Sequence, residues 1–197
     1  GLLPGSRMNE VTSLLDEMLQ AAEKIKKELG SCQFLLPVAE SINTDLIQQK
    51  LGSNPLDIKI IQGETYDVMN TCDTLIIASG SATLEAGIIG CPMVIVYKLS
   101  PLTYWLALSL INTPYYGLVN IVAGEGVAPE LIQSEANAEN IAAETLKFLK
   151  NPEHCQEVRD RLLRVRKNLG SPGVMKAVAS SMADSLSKIT PHEKISL

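Results

Sequence analysis

Histidine and aromatic side chains are scarce in this chain, and the shortage removes several chemistries. The only histidines are His154 and His192, both late, and Cys32, Cys72, Cys91 and Cys155 form no C-x-x-C pair. A zinc site of ordinary ligand spacing is therefore not expected, and no metal or other cofactor is called for. Aromatics make up 4% of the residues, so Leu, Ile, Val, Ala and Met must fill the core. Positive charge is not in excess either. The formal net charge is −5, which gives no basic surface of the kind that nucleic acid requires. Long apolar runs are lacking. The longest, Tyr104 to Ile111, falls far short of the ~20 residues that cross a bilayer. No basic segment followed by an apolar one opens the chain, so no secretory signal is expected. Cys32 and Cys91 border apolar runs and read as buried thiols, which fits a reducing cytoplasm.

What remains is 197 residues of 46% hydrophobic content, enough for one full-sized α/β domain or two very small ones. Strand-like and helix-like patterns alternate. Leu2-Leu3-Pro4 reads as the tail of a strand, and Asn9 to Leu29 as a long amphipathic helix closed by Gly30. Short strands are expected over Gln33 to Leu36, Asp57 to Ile61, Thr74 to Ala78 and Met93 to Tyr97. Helices are expected over Asp45 to Leu51, Tyr66 to Asn70, Ala82 to Ile89 and Pro101 to Ile111, with a last strand over Gly117 to Val122. Continuous apolar strands between helices imply a parallel sheet covered on both faces. Three successive helices follow, over Ala138 to Lys150, Pro152 to Leu169 and Val174 to Lys188, the last after a Ser171-Pro172-Gly173 break. Only about three residues precede the first turn, where a strand has five or so. The chain therefore reads as beginning inside a larger fold.

Two strand-to-helix turns carry the chemistry. Leu3-Pro4-Gly5-Ser6-Arg7 and Ala78-Ser79-Gly80-Ser81-Ala82-Thr83 place Gly and Ser where a helix begins, at the sheet edge at which α/β proteins bind ligands. Small residues let an anion reach backbone N–H groups there, and the helix dipole favours it. Neither turn is a P-loop or a G-x-G-x-x-G fingerprint. Plain N-capping would explain each serine. Arg7 falls at the first helical position, where a cation opposes the dipole unless an anion joins it, or unless Glu10 pairs with it. Glu85 lies four residues after Ser81, one too many for a capping box, and suits the two hydroxyls of a ribose. Asn120 and Gln133 are polar residues on apolar ground, read from chemistry alone as satisfied amides or turn residues. Tyr104, Trp105, Tyr115 and Tyr116 gather much of the aromatic mass, fit for a core contact or an interfacial one.

Four ordered motifs carry a resemblance. They are L-L-P-G-S-R-x-x-E-V at Leu2 to Val11, A-S-G-S-A-T-L-E at Ala78 to Glu85, P-M-V-I-V-Y-K at Pro92 to Lys98, and L-V-N-I followed by P-E-L-I-Q between Leu118 and Gln133. In order and spacing they resemble the lipid-A-disaccharide synthases. The resemblance implies a Rossmann-like parallel α/β sheet, one half of a GT-B fold, with a helical C-terminal extension. It implies a nucleotide-sugar-binding domain over 1–135 and an extension packed on it over 136–197. It implies an inverting, metal-free hexosyl transfer from UDP-2,3-diacylglucosamine to 2,3-diacylglucosamine 1-phosphate, releasing UDP. Ser6, Arg7, Gly80, Ser81, Ala82, Thr83, Glu85, Asn120 and Gln133 are then the donor-site residues. No catalytic residue is assigned to this chain, because the family's general base belongs to its amino half, which also takes most of the lipid acceptor. The isolated chain is thus expected to be inactive. A homodimer, and a cytoplasmic protein peripheral to the inner face of the bacterial inner membrane, complete the expectation. Ser81, Val119 and Glu125 depart from the family pattern, which favours Thr, Pro and a basic residue there. The rival readings are a UDP-N-acetylglucosamine 2-epimerase of the same fold and a non-enzymatic nucleotide-binding or dimerisation module.

Overall fold

The structure is a computed structural model that describes residues 1–52, 56–99, 114–170 and 173–187. The expected helix at Pro101 to Ile111, with Tyr104 and Trp105, lies outside these residues, as do Ser171, Pro172 and His192. The chain divides into two compact units, Gly1–Arg166 and Lys167–Leu197.

In the first unit β1 (Leu2–Leu3), β4 (Leu75–Ala78), β5 (Met93–Tyr97) and β6 (Glu130–Ile132) form one parallel sheet in the order β1-β4-β5-β6. Strands β2 (Phe34–Val38) and β3 (Ile58–Gln62) pair in parallel as a second. Because β2 packs beside β1, the six run β3-β2-β1-β4-β5-β6, the order of a dinucleotide-binding sheet. The described strands are all in parallel pairs, as the apolar runs predict. β4 and the first four residues of β5 are buried along their whole length, whereas β3 is only partly buried, as an edge strand should be.

Strand β2 runs two residues beyond its expected end, through Pro37. Phe34 N–H and Val38 C=O both point to the β3 side, where they bond Asp57 and Gly63. By alternation Pro37 points towards β1, with which β2 forms no ladder. Its missing N–H therefore deprives no partner.

Eight helices are described. α1 (Met8–Leu29), α2 (Thr44–Leu51), α3 (Thr65–Thr71), α4 (Ser81–Ile89) and α5 (Leu118–Ala123) alternate with the strands; α6 (Ala138–Lys150), α7 (Pro152–Asn168) and α8 (Val174–Ser187) follow them. α1 buries Val11, Leu14, Leu15, Met18, Leu19, Ala21, Ala22 and Ile25, a stripe of helical period. It packs against α6. Glu17 of α1 ties the two elements to β5: Oε1 lies 2.9 Å from Lys98 Nζ, and Oε2 accepts the Ala138 N–H at 2.9 Å. The first unit takes in α6 and nearly all of α7. The second contains α8, with Val174, Val178, Met182 and Leu186 exposed.

One element differs in kind from expectation. Gly117 to Val122 was expected as a strand, and 118–123 is helix α5. Its β-branched residues favour a strand locally, but only Val119 and Asn120 turn inward, and the Glu130 carboxylate accepts the N–H groups of Tyr116 and Gly117 at its start. Tertiary hydrogen bonding overrides the propensity. The strand beside β5 is instead β6. Among the described residues no helix is long and apolar enough to cross a membrane. The four cysteines are free thiols, and burial pushes the Cys91 thiol up to about 12.

Candidate functional site

The chain reverses direction across the sheet at β1: α1 carries it to β2 on one side, while β4 lies on the other. Loops leaving adjacent strands to opposite sides open a crevice at their carboxyl ends. A cleft of about 560 Å³ lies there, within the usual range of about 300–1,000 Å³ for ligand sites. Its walls are the β1–α1 turn and the first turn of α1 (Gly5, Ser6, Arg7, Glu10), the β4–α4 turn and the start of α4 (Ser79, Gly80, Ser81, Ala82, Glu85), Pro37 in β2 and Ala39 just after it, and Thr65 and Tyr66 of α3. Six of the nine expected donor-site residues meet in it: Ser6, Arg7, Gly80, Ser81, Ala82 and Glu85.

At the first turn, Arg7 is the N-cap rather than the first helical residue. The Glu10 carboxylate accepts the N–H groups of Ser6 and Arg7 at 3.1 and 3.3 Å and pairs with the Arg7 guanidinium at 2.9 Å. The helix starts at Met8, one residue before the expected Asn9, and Arg7 caps it because the third helical residue, Glu10, reaches back. Gly5 must be glycine: its φ is +115°, and a Cβ there would run into Glu10. An anion, Glu10, already sits at the mouth of α1. Arg7, 81% exposed, is held only by a surface pair worth ~0–1 kcal/mol and can turn to another anion.

The second turn is open. Gly80 is the N-cap of α4, in extended conformation (φ 161°), and a Cβ on it would meet nothing within 4 Å. Ser81 and Ala82 occupy the first two helical positions, whose N–H groups have no partner within the helix. Ser81 and Glu85 make no side-chain hydrogen bond among the described residues. Thr83 is fully buried behind the turn; its N–H and hydroxyl both donate to Gly80 C=O, at 3.2 and 2.8 Å. It shapes the turn and does not line the cleft.

Asn120 and Gln133 lie outside the cleft lining. Asn120 is 1% exposed. Its amide donates to Ala128 C=O and Glu130 and accepts from Val127 and Ala128 N–H, at 2.7–3.0 Å. Those four bonds use its full capacity. Gln133, in left-handed conformation (φ 54°), accepts the Leu99 N–H at 2.7 Å and donates to the Leu99 C=O at 3.1 Å. Both are the satisfied amides that chemistry alone favours. Glu125, at a position where the family pattern has a basic residue, pairs with Arg161 of α7 at 3.0 Å. His154 stacks on Phe148 with ring centroids 5.4 Å apart, away from the cleft.

Sequence reasoning missed Glu10, Ser79, Thr65 and Tyr66 as cleft residues. Tyr66 gives no local signal: it follows Gly63 and the left-handed Glu64, and only the fold brings it to the turns of β1 and β4. Ser79 lies inside the Ala78 to Glu85 motif, and only the fold shows that it faces the cleft.

A parallel sheet of this order, with two Gly/Ser turns meeting at its switch point, defines a Rossmann-like α/β fold. Solved structures share that fold. A protein described as a UDP-N-acetylglucosamine 2-epimerase of Listeria monocytogenes matches 100% of this chain and 47% of its own with a TM-score of 0.62 at 14% identity. A spinosyn rhamnosyltransferase complexed with spinosyn aglycone matches 88% of this chain and 43% of its own with a TM-score of 0.58 at 15% identity. In sequence, the lipid-A-disaccharide synthase of Geobacter sulfurreducens is 42% identical over 188 residues, 95% of this chain and 49% of that protein. The family model for lipid-A-disaccharide synthetase matches residues 1–183, and the chain belongs to that family. It spans about half the length of the curated relatives it matches.

Proposed function

We propose that this chain is the donor-binding half of a lipid-A-disaccharide synthase and holds UDP-2,3-diacylglucosamine in the cleft between the β1 and β4 turns. The observation that carries the reading is the convergence of an exposed cation, Arg7, an open helix N-terminus at Gly80-Ser81-Ala82, and a carboxylate, Glu85, that makes no side-chain hydrogen bond among the described residues, on one cleft. The α4 amides and Arg7 stabilise the diphosphate as charge gathers on departing UDP, an electrostatic role. Glu85 accepts the ribose hydroxyls. Ser6 borders the same anion. Thr83, Asn120 and Gln133 serve the site from behind, by fixing the backbone around it. The first 135 residues form the nucleotide-sugar domain, and the helices from 136 on extend it. The acceptor, 2,3-diacylglucosamine 1-phosphate, attacks the anomeric carbon from a partner half of the enzyme, with inversion. A homodimer at the cytoplasmic face of the inner membrane is part of the same reading.

Calorimetry with UDP and with CMP, with and without EDTA, tests it. Saturable UDP binding that survives EDTA and exceeds CMP binding is expected. Equal heats for the two nucleotides, or none for UDP, would remove the uridine site.

A further inference from the structure

One hydroxyl in the cleft has a fixed hydrogen-bond sense. Ser79, the last residue before the N-cap of α4, lies with Oγ 3.0 Å from the Tyr116 carbonyl oxygen. A carbonyl only accepts, so the hydroxyl proton points to Tyr116. That carbonyl belongs to the Tyr116–Gly117 peptide unit, whose N–H donates to Glu130 Oε1 at 2.9 Å. The other carboxylate oxygen, Oε2, takes the N–H of Tyr116 itself at 2.8 Å. Glu130 thereby polarises the very peptide that holds the Ser79 proton, and hydrogen bonds in series strengthen one another. Asn120, at 2.7 Å from Oε1, keeps the carboxylate in place. What Ser79 has left for a ligand is its lone pairs.

Ser81, two residues on, is the opposite case. It is exposed at the start of α4 and makes no side-chain hydrogen bond among the described residues. Its proton is free for a phosphate oxygen. The two serines of one turn therefore offer a ligand different things, an acceptor at Ser79 and a donor at Ser81.

We propose that Ser79 is a specificity-determining acceptor that takes a hydroxyl or ring N–H of the bound nucleoside and repels phosphate oxygens. Glu130 is its positioning residue, acting through the Tyr116–Gly117 peptide. The assignment rests on the donor-site reading above.

The test uses this chain and its Ser79→Ala, Glu130→Gln and doubly substituted variants, titrated with UDP, uridine and inorganic diphosphate. Ser79→Ala is expected to weaken UDP and uridine roughly three- to tenfold, the worth of one neutral hydrogen bond, and to leave inorganic diphosphate unchanged or more tightly bound. Glu130→Gln keeps the side-chain size but turns an NH₂ towards a backbone N–H. It should weaken the same two ligands and add nothing once Ser79 is alanine, since linked residues are non-additive. A merely structural Glu130 would lower all three affinities together and act independently of Ser79, and that result overturns its positioning role. If Glu130→Gln does not fold, Ser79→Ala alone decides the acceptor assignment. Wild-type chain that binds UDP no better than Ser79→Ala does overturns the Ser79 assignment and spares the donor site. Wild-type chain that binds no UDP overturns both.

Discussion

A glycine that needs to be glycine for its backbone and one that needs it for a guest are told apart at Gly5 and Gly80. Gly5 is bound to its residue type by a positive φ and by Glu10. Gly80 has neither constraint, since its backbone is extended and the space over it is empty. Gly80→Val should therefore fold with a melting temperature near that of the parent, yet lose UDP affinity by about tenfold or more, because two methyl groups stand where the ligand's backbone contacts form. Thermal melts paired with UDP titration check this, and a collapse of stability would show that the empty space is not a ligand's. Arg7 and Glu10 separate in the same way. Arg7→Ala removes an exposed partner, which costs under ~1 kcal/mol of stability, while losing a charge-assisted contact that should weaken UDP about tenfold or more. Glu10→Ala leaves the Ser6 and Arg7 N–H groups without their acceptor, at a cost of ~1–2 kcal/mol. It also vacates the mouth of α1. Its melting temperature should fall by several degrees while UDP binding holds or tightens.

Among the elements, α5 shows where reading from sequence fails and why. Val119, Ile121 and Val122 are strand formers, and nothing within Gly117 to Val122 announces that a carboxylate thirteen residues from Gly117 will cap it. The amphipathic α1 and the buried β4 and β5 were legible because period and burial agree there at short range. The two cleft turns were legible because Gly and Ser between a strand and a helix mark the sheet edge at which α/β proteins bind ligands. Glu10 as cap, Ser79 as acceptor and Tyr66 as wall were not, since each depends on a partner from another element or on the fold's closure. Asn120, a donor-site residue by resemblance, sits at the centre of this packing. Asn120→Leu would strand the Val127 and Ala128 N–H groups and the Ala128 C=O in the interior. At ~1–3 kcal/mol for each buried group left unpaired, a loss of about 3 kcal/mol or more is expected, read as a drop of roughly 6–12 °C in melting temperature. UDP affinity of the folded fraction at low temperature should fall no further than in Ser79→Ala, since Asn120 reaches the ligand only through Glu130. A large affinity loss with an unchanged melt would place Asn120 on the ligand instead.

At the scale of the molecule, the proposed function divides labour between two halves. In it this chain supplies leaving-group stabilisation, whereas attack by the acceptor hydroxyl also needs a general base within hydrogen-bond reach. No histidine among the described residues lines the cleft, and Glu10 and Glu85 are the carboxylates that do. Glu10 is committed to capping, and Glu85 to ribose in the proposed pose. Lack of a general base typically costs ~10²–10⁴ in rate, and lack of acceptor positioning several powers of ten more. A radiolabelled transfer assay with both lipid substrates should therefore find no turnover by this chain, and activity when it is joined to the amino half of a relative. Turnover by the chain alone would place the base here.

The unladdered boundary between β1 and β2 has a consequence for how the protein comes apart. β4, β5 and β6 are stitched to β1 by backbone ladders, but among the described residues Phe34 to Gln62 forms no ladder with β1 and is held on that flank by side chains, Ser41 on the Ser6 carbonyl and Lys50 on Asp16 among them. Cooperative opening follows such boundaries. The β2–α2–β3 stretch should release as one block while the remaining strands stay protected, so its amides exchange earlier and together. Pro37 and Ala39, at the carboxyl end of β2 within that block, also form part of the cleft wall. A ligand seated against them fastens the block from outside, and the slowing of its exchange would measure how much of the site's binding free energy the protein withholds until the guest arrives.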